Sequence, residues 1–231
     1  MSGCLICGSP LVYFSDIRKP AKCRLCGKQA ETNVICEHGH FICDECHEKA
    51  AARSVLKSAA DLDSKNPVEI LTYMFKTPAV YMHGPEHHIL AGAALLIAYC
   101  NAKGIPQSTM LNEMIARGSQ VPGGTCGFWG CCGAGPSAGI AYSIIAQTTP
   151  MSSTEWGKAN LLTSKVLAEI SRYGGPRCCK RTSYIAVRTA SEFISSHTET
   201  RLEIPEKIQC SFSPQNSECL KEHCPFFNSN K

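Results

Sequence analysis

Two glycine-led cysteine clusters hold the residue types best suited to chemistry in this chain. The first is Gly123-Gly124-Thr125-Cys126-Gly127-Phe128-Trp129-Gly130-Cys131-Cys132-Gly133-Ala134-Gly135, and the second is Gly174-Gly175-Pro176-Arg177-Cys178-Cys179-Lys180-Arg181. Each runs into a helix-forming stretch, so its cysteines stand where unpaired backbone N–H groups and the positive end of a helix dipole favour a thiolate. If the loops meet, Cys126, Cys131 or Cys132, with Cys178 or Cys179, supply at least three thiolates. Three can anchor an iron–sulfur cluster of the 4Fe-4S type and leave one iron open to substrate, whereas four close it as an electron carrier. The glycines let backbone approach such a cluster and donate N–H groups to its sulfides, and Phe128 and Trp129 are placed to shield it from water. Arg177, Lys180 and Arg181 can balance its charge or hold an anionic substrate. The same residues also suit redox-active or sulfur-carrying dithiols, or further structural metal sites.

A second polar group lies upstream, in Met82-His83-Gly84-Pro85-Glu86-His87-His88. His83, Glu86 and His87 cluster at one end of the helix that follows, where they can act as acid–base groups or accessory ligands, or simply cap the helix. Cys100, alone further along that helix, reads as a core thiol.

Metal-ligand spacing is clearest at the N-terminus. Cys4-x-x-Cys7 and Cys23-x-x-Cys26 have the spacing of zinc knuckles, each turn placing two sulfurs on one face. Cys36, His38 or His40, Cys43 and Cys46 can close a second site. Spacing leaves open whether the pairs are used in sequence or cross-braced. The Cys-x-His-x-His-x-x-Cys-x-x-Cys stretch resembles the middle of a RING-type finger, but the pairs that follow it in that family are missing, so ligase function is not implied. Two zinc ions here would replace a core that so short a segment lacks. The tail carries Cys210, Cys219 and Cys224, enough for another zinc or cluster site.

The elements that position these groups read as mainly α: a helical bundle behind a zinc-ribbon or treble-clef-like metal-binding module. The expected division is a Cys/His-rich module over 1–47, a helical bundle with the central cysteine loops over 48–200, and a cysteine-containing tail over 201–231. Helices are expected over 47–61, over 68–76 with Asn66 as cap and Pro67 at the first position, from the 83–88 segment to Lys103 with Gly104 as stop, and over 108–116 with Ser108 as cap and Gly118 as stop. Three more follow: 136–147, 154–173 from a capping box at Ser152-Ser153-Thr154-Glu155, and 180–197. Residues 201–208 read as a short strand. The stretch Ala91-Gly92-Ala93-Ala94-Leu95-Leu96 is small and apolar all round, the pattern of a central buried helix.

At 231 residues with 16 cysteines and a net charge of +4, the chain can bury a real core. Disulfide frameworks belong to short secreted domains, and no basic segment followed by an apolar run opens the sequence, so the expectation is a reducing cytoplasm and metal-bound thiolates. The longest apolar run is too short for the about 20 residues that cross a bilayer, so no membrane association is expected. The mild charge gives nucleic-acid binding no support.

The motifs His83-Gly84-Pro85-Glu86-His87-His88, Val121-Pro122-Gly123-Gly124-x-Cys126-Gly127-Phe128-Trp129-Gly130, Glu155-Trp156-Gly157 and Gly174-Gly175-Pro176-Arg177-Cys178-Cys179-Lys180-Arg181 resemble those of an uncharacterised cysteine-rich family of anaerobic archaea and bacteria, domain of unknown function 5714. The resemblance covers nearly the whole length. It implies an oxygen-poor cytoplasm and favours iron–sulfur or sulfur chemistry. The expected function is that of a metalloprotein with zinc at its N-terminus. Its central cysteines hold a cluster or reactive thiolates acting on a small anionic or sulfur-containing substrate, with a redox or protein partner. The alternative is a non-enzymatic zinc-finger adaptor or regulator that binds protein or nucleic acid.

Overall fold

The computed structural model describes residues 4, 6–14, 17–59 and 61–228. The chain divides into two compact units, Met1–Ala51 and Ala52–Lys231.

The first unit is built on two antiparallel ribbons. Strand β1 (Leu11–Tyr13) pairs with β4 (Val34–Cys36), Leu11 opposite Cys36, and β2 (Lys19–Lys22) pairs with β3 (Gln29–Thr32), Lys22 opposite Gln29. The tight turns follow from glycine placement. Gly8, Gly27 and Gly39 take left-handed backbone at φ of 75°, 75° and 74°, and each donates its N–H to the carbonyl of the cysteine that starts its turn, Cys4, Cys23 or Cys36. Little apolar surface is gathered here: Cys23, Phe41 and Cys43 form the small core, flanked by Ala21, Ala30, Ile35 and Ile42.

The protein is mainly α, with eight α-helices among the described residues. Helix α1 (Asp44–Ala59) contributes Ala52, Val55, Leu56 and Ala59 to the core of the second unit. It ends beside residue 60, which lies outside the described residues. Helix α2 (Pro67–Phe75) begins as the sequence dictates: Asn66 Oδ1 accepts from the N–H groups of Val68 at 3.0 Å and Glu69 at 3.4 Å, with Pro67 in the first turn. Helix α3 (His87–Lys103) is the centre of the bundle, buried all round from Ile89 to Ala98, and stops at Gly104, left-handed at φ 65°. Helices α2, α4 (Ser108–Gly118), α6 (Ala134–Ile145) and α8 (Cys179–His197) pack on α3, and α7 (Thr154–Ser171) covers α6 and α8. Gly92 makes the α3–α6 approach possible. Its N–H donates to Ser137 Oγ at 2.9 Å, and a Cβ there would lie 2.9 Å from the Ser137 carbonyl oxygen and 2.5 Å from Met114 Sδ.

Local structure departs from the sequence reading at five places. Gly118 lies inside α4 and Ser119 ends it; the glycine is spent on close approach, since a Cβ would sit 3.1 Å from Ile89 Cγ1 and 3.3 Å from the His88 carbonyl oxygen. Ser108 is the first residue of that helix, and Gln107 precedes it without a side-chain cap. The capping box ahead of α7 does not form, because the Glu155 carboxylate is taken by the Tyr142 hydroxyl at 2.6 Å and Lys158 Nζ at 2.7 Å. Residues 201–208 form no strand. Glu203 N–H donates to the Lys65 carbonyl at 3.1 Å, and the pairing of this region is a single bridge between Cys210 and Phe227. A four-residue helix, α5 (Cys126–Trp129), appears in the glycine loop. No helix among the described residues is long and apolar enough to cross a membrane.

Gly92→Val should force α3 and α6 apart against a backbone carbonyl that cannot swing away. The expected loss is about 1–3 kcal/mol of stability, read as a lowered midpoint in thermal and urea unfolding.

Candidate metal centres

In the first unit the knuckles bring eight ligands into two sets. Cys4, Cys7, Cys36 and His40 form one and Cys23, Cys26, Cys43 and Cys46 the other, the ligand atoms of each all within 4.8 Å of one another. Pair one is thus joined to pair three and pair two to pair four, a cross-braced arrangement. Cys7 Sγ lies 3.5 Å from Cys36 Sγ and 3.3 Å from His40 Nδ1, and Cys26 Sγ lies 3.6 Å from Cys43 Sγ. These separations suit one tetrahedral ion per set, since bonds of about 2.3 Å to sulfur put neighbouring sulfurs about 3.8 Å apart. His38 Nδ1 is 3.9 Å from Cys7 Sγ but stands outside the set, turned toward Glu37 on the surface. Backbone amides stabilise the thiolates: Ile6 N–H donates to Cys4, His38 N–H to Cys36 and Cys43 N–H to Cys23, each at 3.4 Å. Hydrogen bonds from Ser9, and then from His38, draw the Cys7 thiol down to about 5. Burial and the neighbouring Cys7 and Cys4 push Cys36 up, a repulsion that a bound cation removes. Both sets can hold a metal ion.

In the second unit, α3 starts with a buried polar group. Glu86 and His87 are only 5% and 2% exposed, and Lys180, from the first turn of α8, is 1% exposed. Glu86 Oε1 accepts from Tyr81 N–H at 3.1 Å and lies 3.4 Å from His87 Nδ1, which also sits 3.0 Å from the Gly84 carbonyl. Burial lowers the His87 pKa, which favours the neutral imidazole. With Nδ1–H directed at Gly84 and Glu86, Nε2 carries a lone pair that no hydrogen bond engages. Lys180 Nζ donates to the Tyr81 carbonyl at 2.9 Å and lies 4.2 Å above the Phe75 ring. Desolvation brings it down to about 8 despite the attraction of Glu86. The glycine loop packs over this segment. A side chain at Gly133 would run into the His88 ring, one at Gly123 into Pro85, and His88 Nδ1 meets the Val121 carbonyl at 3.1 Å.

The start of α8 sends its two cysteines in different directions. Cys179 accepts from the Gly84 amide, and its thiol is raised to about 11, first by burial and then by nearby Cys132, Cys178 and Glu86. Cys178 caps the helix, accepting Arg181 N–H at 3.4 Å, and faces the tail. There Cys210, Cys219 and Cys224 share one cleft with it, together with Met82, Arg181 and Asn216. Asn216 is buried and points Nδ2 at Cys178 Sγ, 3.6 Å away, while its Oδ1 accepts from Glu218 N–H. Burial pushes both Cys210 and Cys224 thiols up, and each is raised further by the other sulfurs of the cleft. The tail is held by Phe212 and Phe226, which pack edge-on against Phe75 and Tyr184, and by the Cys210 N–H bond to the Phe226 carbonyl at 2.7 Å.

Residues 55–227 match the family of unknown function DUF5714. The chain belongs to this family. No curated protein and no solved structure matches it. The DUF5714 span takes in the α3 segment, the glycine loop and the cleft, while both N-terminal metal sets precede it.

Within the DUF5714 span the structure sorts the sequence-predicted residues into neighbourhoods. Cys132 approaches Cys179, Cys131 adjoins Cys132, and Cys126 starts α5 on the outer part of the loop. Cys178 joins Cys210, Cys219 and Cys224 instead of the loop cysteines. Phe128 and Trp129 are 91% and 65% exposed, so they shield nothing. His83 Nε2 lies 3.6 Å from Glu218 in the tail. Arg177 is exposed, whereas Arg181 is buried, its Nη2 donating to the Gly174 and Pro176 carbonyls at 2.8 and 2.9 Å. Cys100 is a buried core thiol donating to Met110 Sδ at 3.6 Å. Asn216 had no sequence signature beyond lying among the tail cysteines.

The cross-brace makes a stoichiometric prediction for the full chain. Cys4→Ser with His40→Ala should remove about one equivalent of metal, the same as Cys4→Ser alone, whereas Cys4→Ser with Cys43→Ser should remove about two, measured by plasma mass spectrometry.

Proposed function

We propose that the protein is a metalloprotein whose N-terminal module holds two structural zinc ions and whose helical unit uses a thiolate-rich centre for sulfur or redox chemistry on a small anionic or sulfur-containing substrate. The observation that carries this reading is the convergence of cysteines from three separate stretches on the start of α8, beside the buried Glu86, His87 and Lys180. A helical unit with so large an apolar core has no folding need for buried ionisable groups, and groups of that kind collect where chemistry is done. Each has a role in the reading. Cys132 and Cys179 form the reactive thiol side; burial keeps Cys179 a protonated thiol, and Gly84 N–H offsets only part of the cost of ionising it. His87 Nε2 holds and releases a proton, and Glu86 fixes the imidazole through Nδ1. Lys180 offsets negative charge at Glu86 and Cys179, and exposed Arg177 draws the anion in.

A second reading, a zinc-finger adaptor, is favoured by the apolar side chains that the small first unit exposes, Tyr13, Ile17 and Leu25 at 66%, 64% and 57%. Under that reading Tyr13→Ser with Leu25→Ser removes partner capture and leaves the metal content of the helical unit unchanged.

Thiosulfate, as a small sulfur oxyanion, tests the substrate reading in oxygen-free protein. It should slow alkylation of Cys132 and Cys179, followed by peptide mass spectrometry, by about tenfold at saturation. Lys180→Met should lose that protection. Equal alkylation rates with and without the anion count against the reading.

A further inference from the structure

We propose that Cys178, Cys210, Cys219 and Cys224 together hold a 4Fe–4S cluster, bridging the N-terminus of α8 and the C-terminal tail. The inference rests on the metalloprotein reading above and names its ligands. The four cysteines line one partly open cleft, and its remaining wall is largely apolar, with Met82, Tyr184, Phe212 and Phe226.

Every one of the four sulfurs is met by a backbone amide. Arg181 N–H donates to Cys178, Phe212 N–H to Cys210 and Lys221 N–H to Cys219, each at 3.4 Å, and the Phe226 amide serves Cys224. Three of these are the i+2 pattern by which Ile6 serves Cys4 and His38 serves Cys36 in the first unit. The tail cysteines therefore have the local geometry of ligand thiolates, not of incidental thiols. Asn216 adds a side-chain donor to Cys178 from a buried position. Donors of this kind hold thiolates in orientation and tune the metal they bind.

The four cysteines of the cleft are not gathered as a single-ion set. In the first unit the ligand atoms of each set lie within 4.8 Å of one another, but no three of the four sulfurs around the cleft meet that limit among the described residues. One tetrahedral zinc requires sulfurs about 3.8 Å apart. A cuboidal cluster takes one thiolate outside each of its four iron corners, so its cysteines stand further apart around a larger body. Charge agrees with this. Four thiolates leave such a cluster anionic, and the buried Arg181 guanidinium lines the same cleft. Four cysteines also fill every iron site, so this centre does not bind substrate at iron. Substrate chemistry then stays on the Cys132 and Cys179 side of α8.

The test uses the full chain, purified without oxygen and reconstituted with ferrous iron and sulfide. Iron, acid-labile sulfide, visible absorption and electron paramagnetic resonance after dithionite reduction are measured. Wild type should hold about four iron and four sulfide per chain; Cys210→Ser and Cys224→Ser should lose at least about nine-tenths of that signal, while Cys126→Ser and Cys131→Ser retain it. Asn216→Ala should keep the stoichiometry and shift the resonance spectrum or the reduction potential, which a merely structural asparagine would not do. Circular dichroism checks folding, and if either serine variant is unfolded, Cys219→Ser decides in its place. Iron and sulfide that persist in the tail variants, or vanish with Cys126→Ser and Cys131→Ser, overturn the ligand assignment alone. One zinc in the cleft without sulfide overturns the cluster. A wild-type protein with no metal beyond the N-terminal sets overturns this inference and the metal-based part of the proposed function, and leaves thiol chemistry at Cys132 and Cys179 to the thiosulfate experiment.

Discussion

Helix α3 is enclosed by α2, α4, α6 and α8, and from Ile89 to Ala98 nothing on it reaches solvent. Each large apolar side chain buried there contributes roughly 1.5–3 kcal/mol, so the helix cannot slide or rotate without losing several such contributions at once. Its first turn is thereby fixed inside the molecule. The polar residues just ahead of it then need protein partners, because an unpaired charge in such a place is strongly destabilising. Tyr81 supplies two of them, its N–H to Glu86 and its carbonyl to Lys180. The pair of bonds ties α3 to the start of α8, and Cys178 and Cys179 are carried with it.

The two units use cysteine for different physical reasons. Among the described residues the first has Phe41 and two cysteine side chains as its buried core, too little apolar surface to hold about 50 residues folded. Metal ions held by the two sets would supply what is missing, since ligand bonds form only in the folded state and add directly to its stability. The second unit has a core running from Ala52 to Phe226 and no such need. Its cysteines nevertheless gather, and they do so beside ionisable groups that burial makes costly. Groups of that kind, kept where apolar residues would pack as well, are what the proposed chemistry would use.

Much of the architecture was legible because its causes are local. Asn66-Pro67 fixed the start of α2, Gly104 fixed the end of α3, and the small apolar run 91–96 identified the buried helix. The Cys4-x-x-Cys7 and Cys23-x-x-Cys26 turns were legible as candidate ligand pairs for the same reason, each being closed by its own glycine. What sequence reasoning could not provide was partnership over distance. Cross-bracing depends on β1 pairing with β4 across more than 20 residues, and nothing in the knuckles announces it. The capping box failed because Glu155 has a better partner in Tyr142, a residue on another helix. Cys178 and Cys179 are adjacent in sequence but diverge, because a cap residue in extended backbone points away from the first helical residue. One faces the tail and the other the glycine loop, so a vicinal pair that reads as one site lies in two neighbourhoods.

The tail depends on this divergence most. From Arg201 to Asn228 the chain has only two short 3-10 turns, Ser213–Gln215 and Lys221–His223, and a single bridge. Fixing the backbone of each residue costs about 1–2 kcal/mol in conformational entropy, and regular hydrogen bonding offsets little of it in such a segment. Against that stand a few anchors, chiefly Leu202, Ile208, Phe212 and Phe226, with Asn216 joining the tail to Cys178. A centre ligated by Cys178 and by three tail cysteines binds the ordered tail and not the loose one, so its binding free energy becomes part of the stability of that segment. Ligation and tail order are then a single equilibrium. Because His83 reaches Glu218 and Met82 lines the cleft, ligation of the tail would also bear on the outer wall of the polar segment ahead of α3.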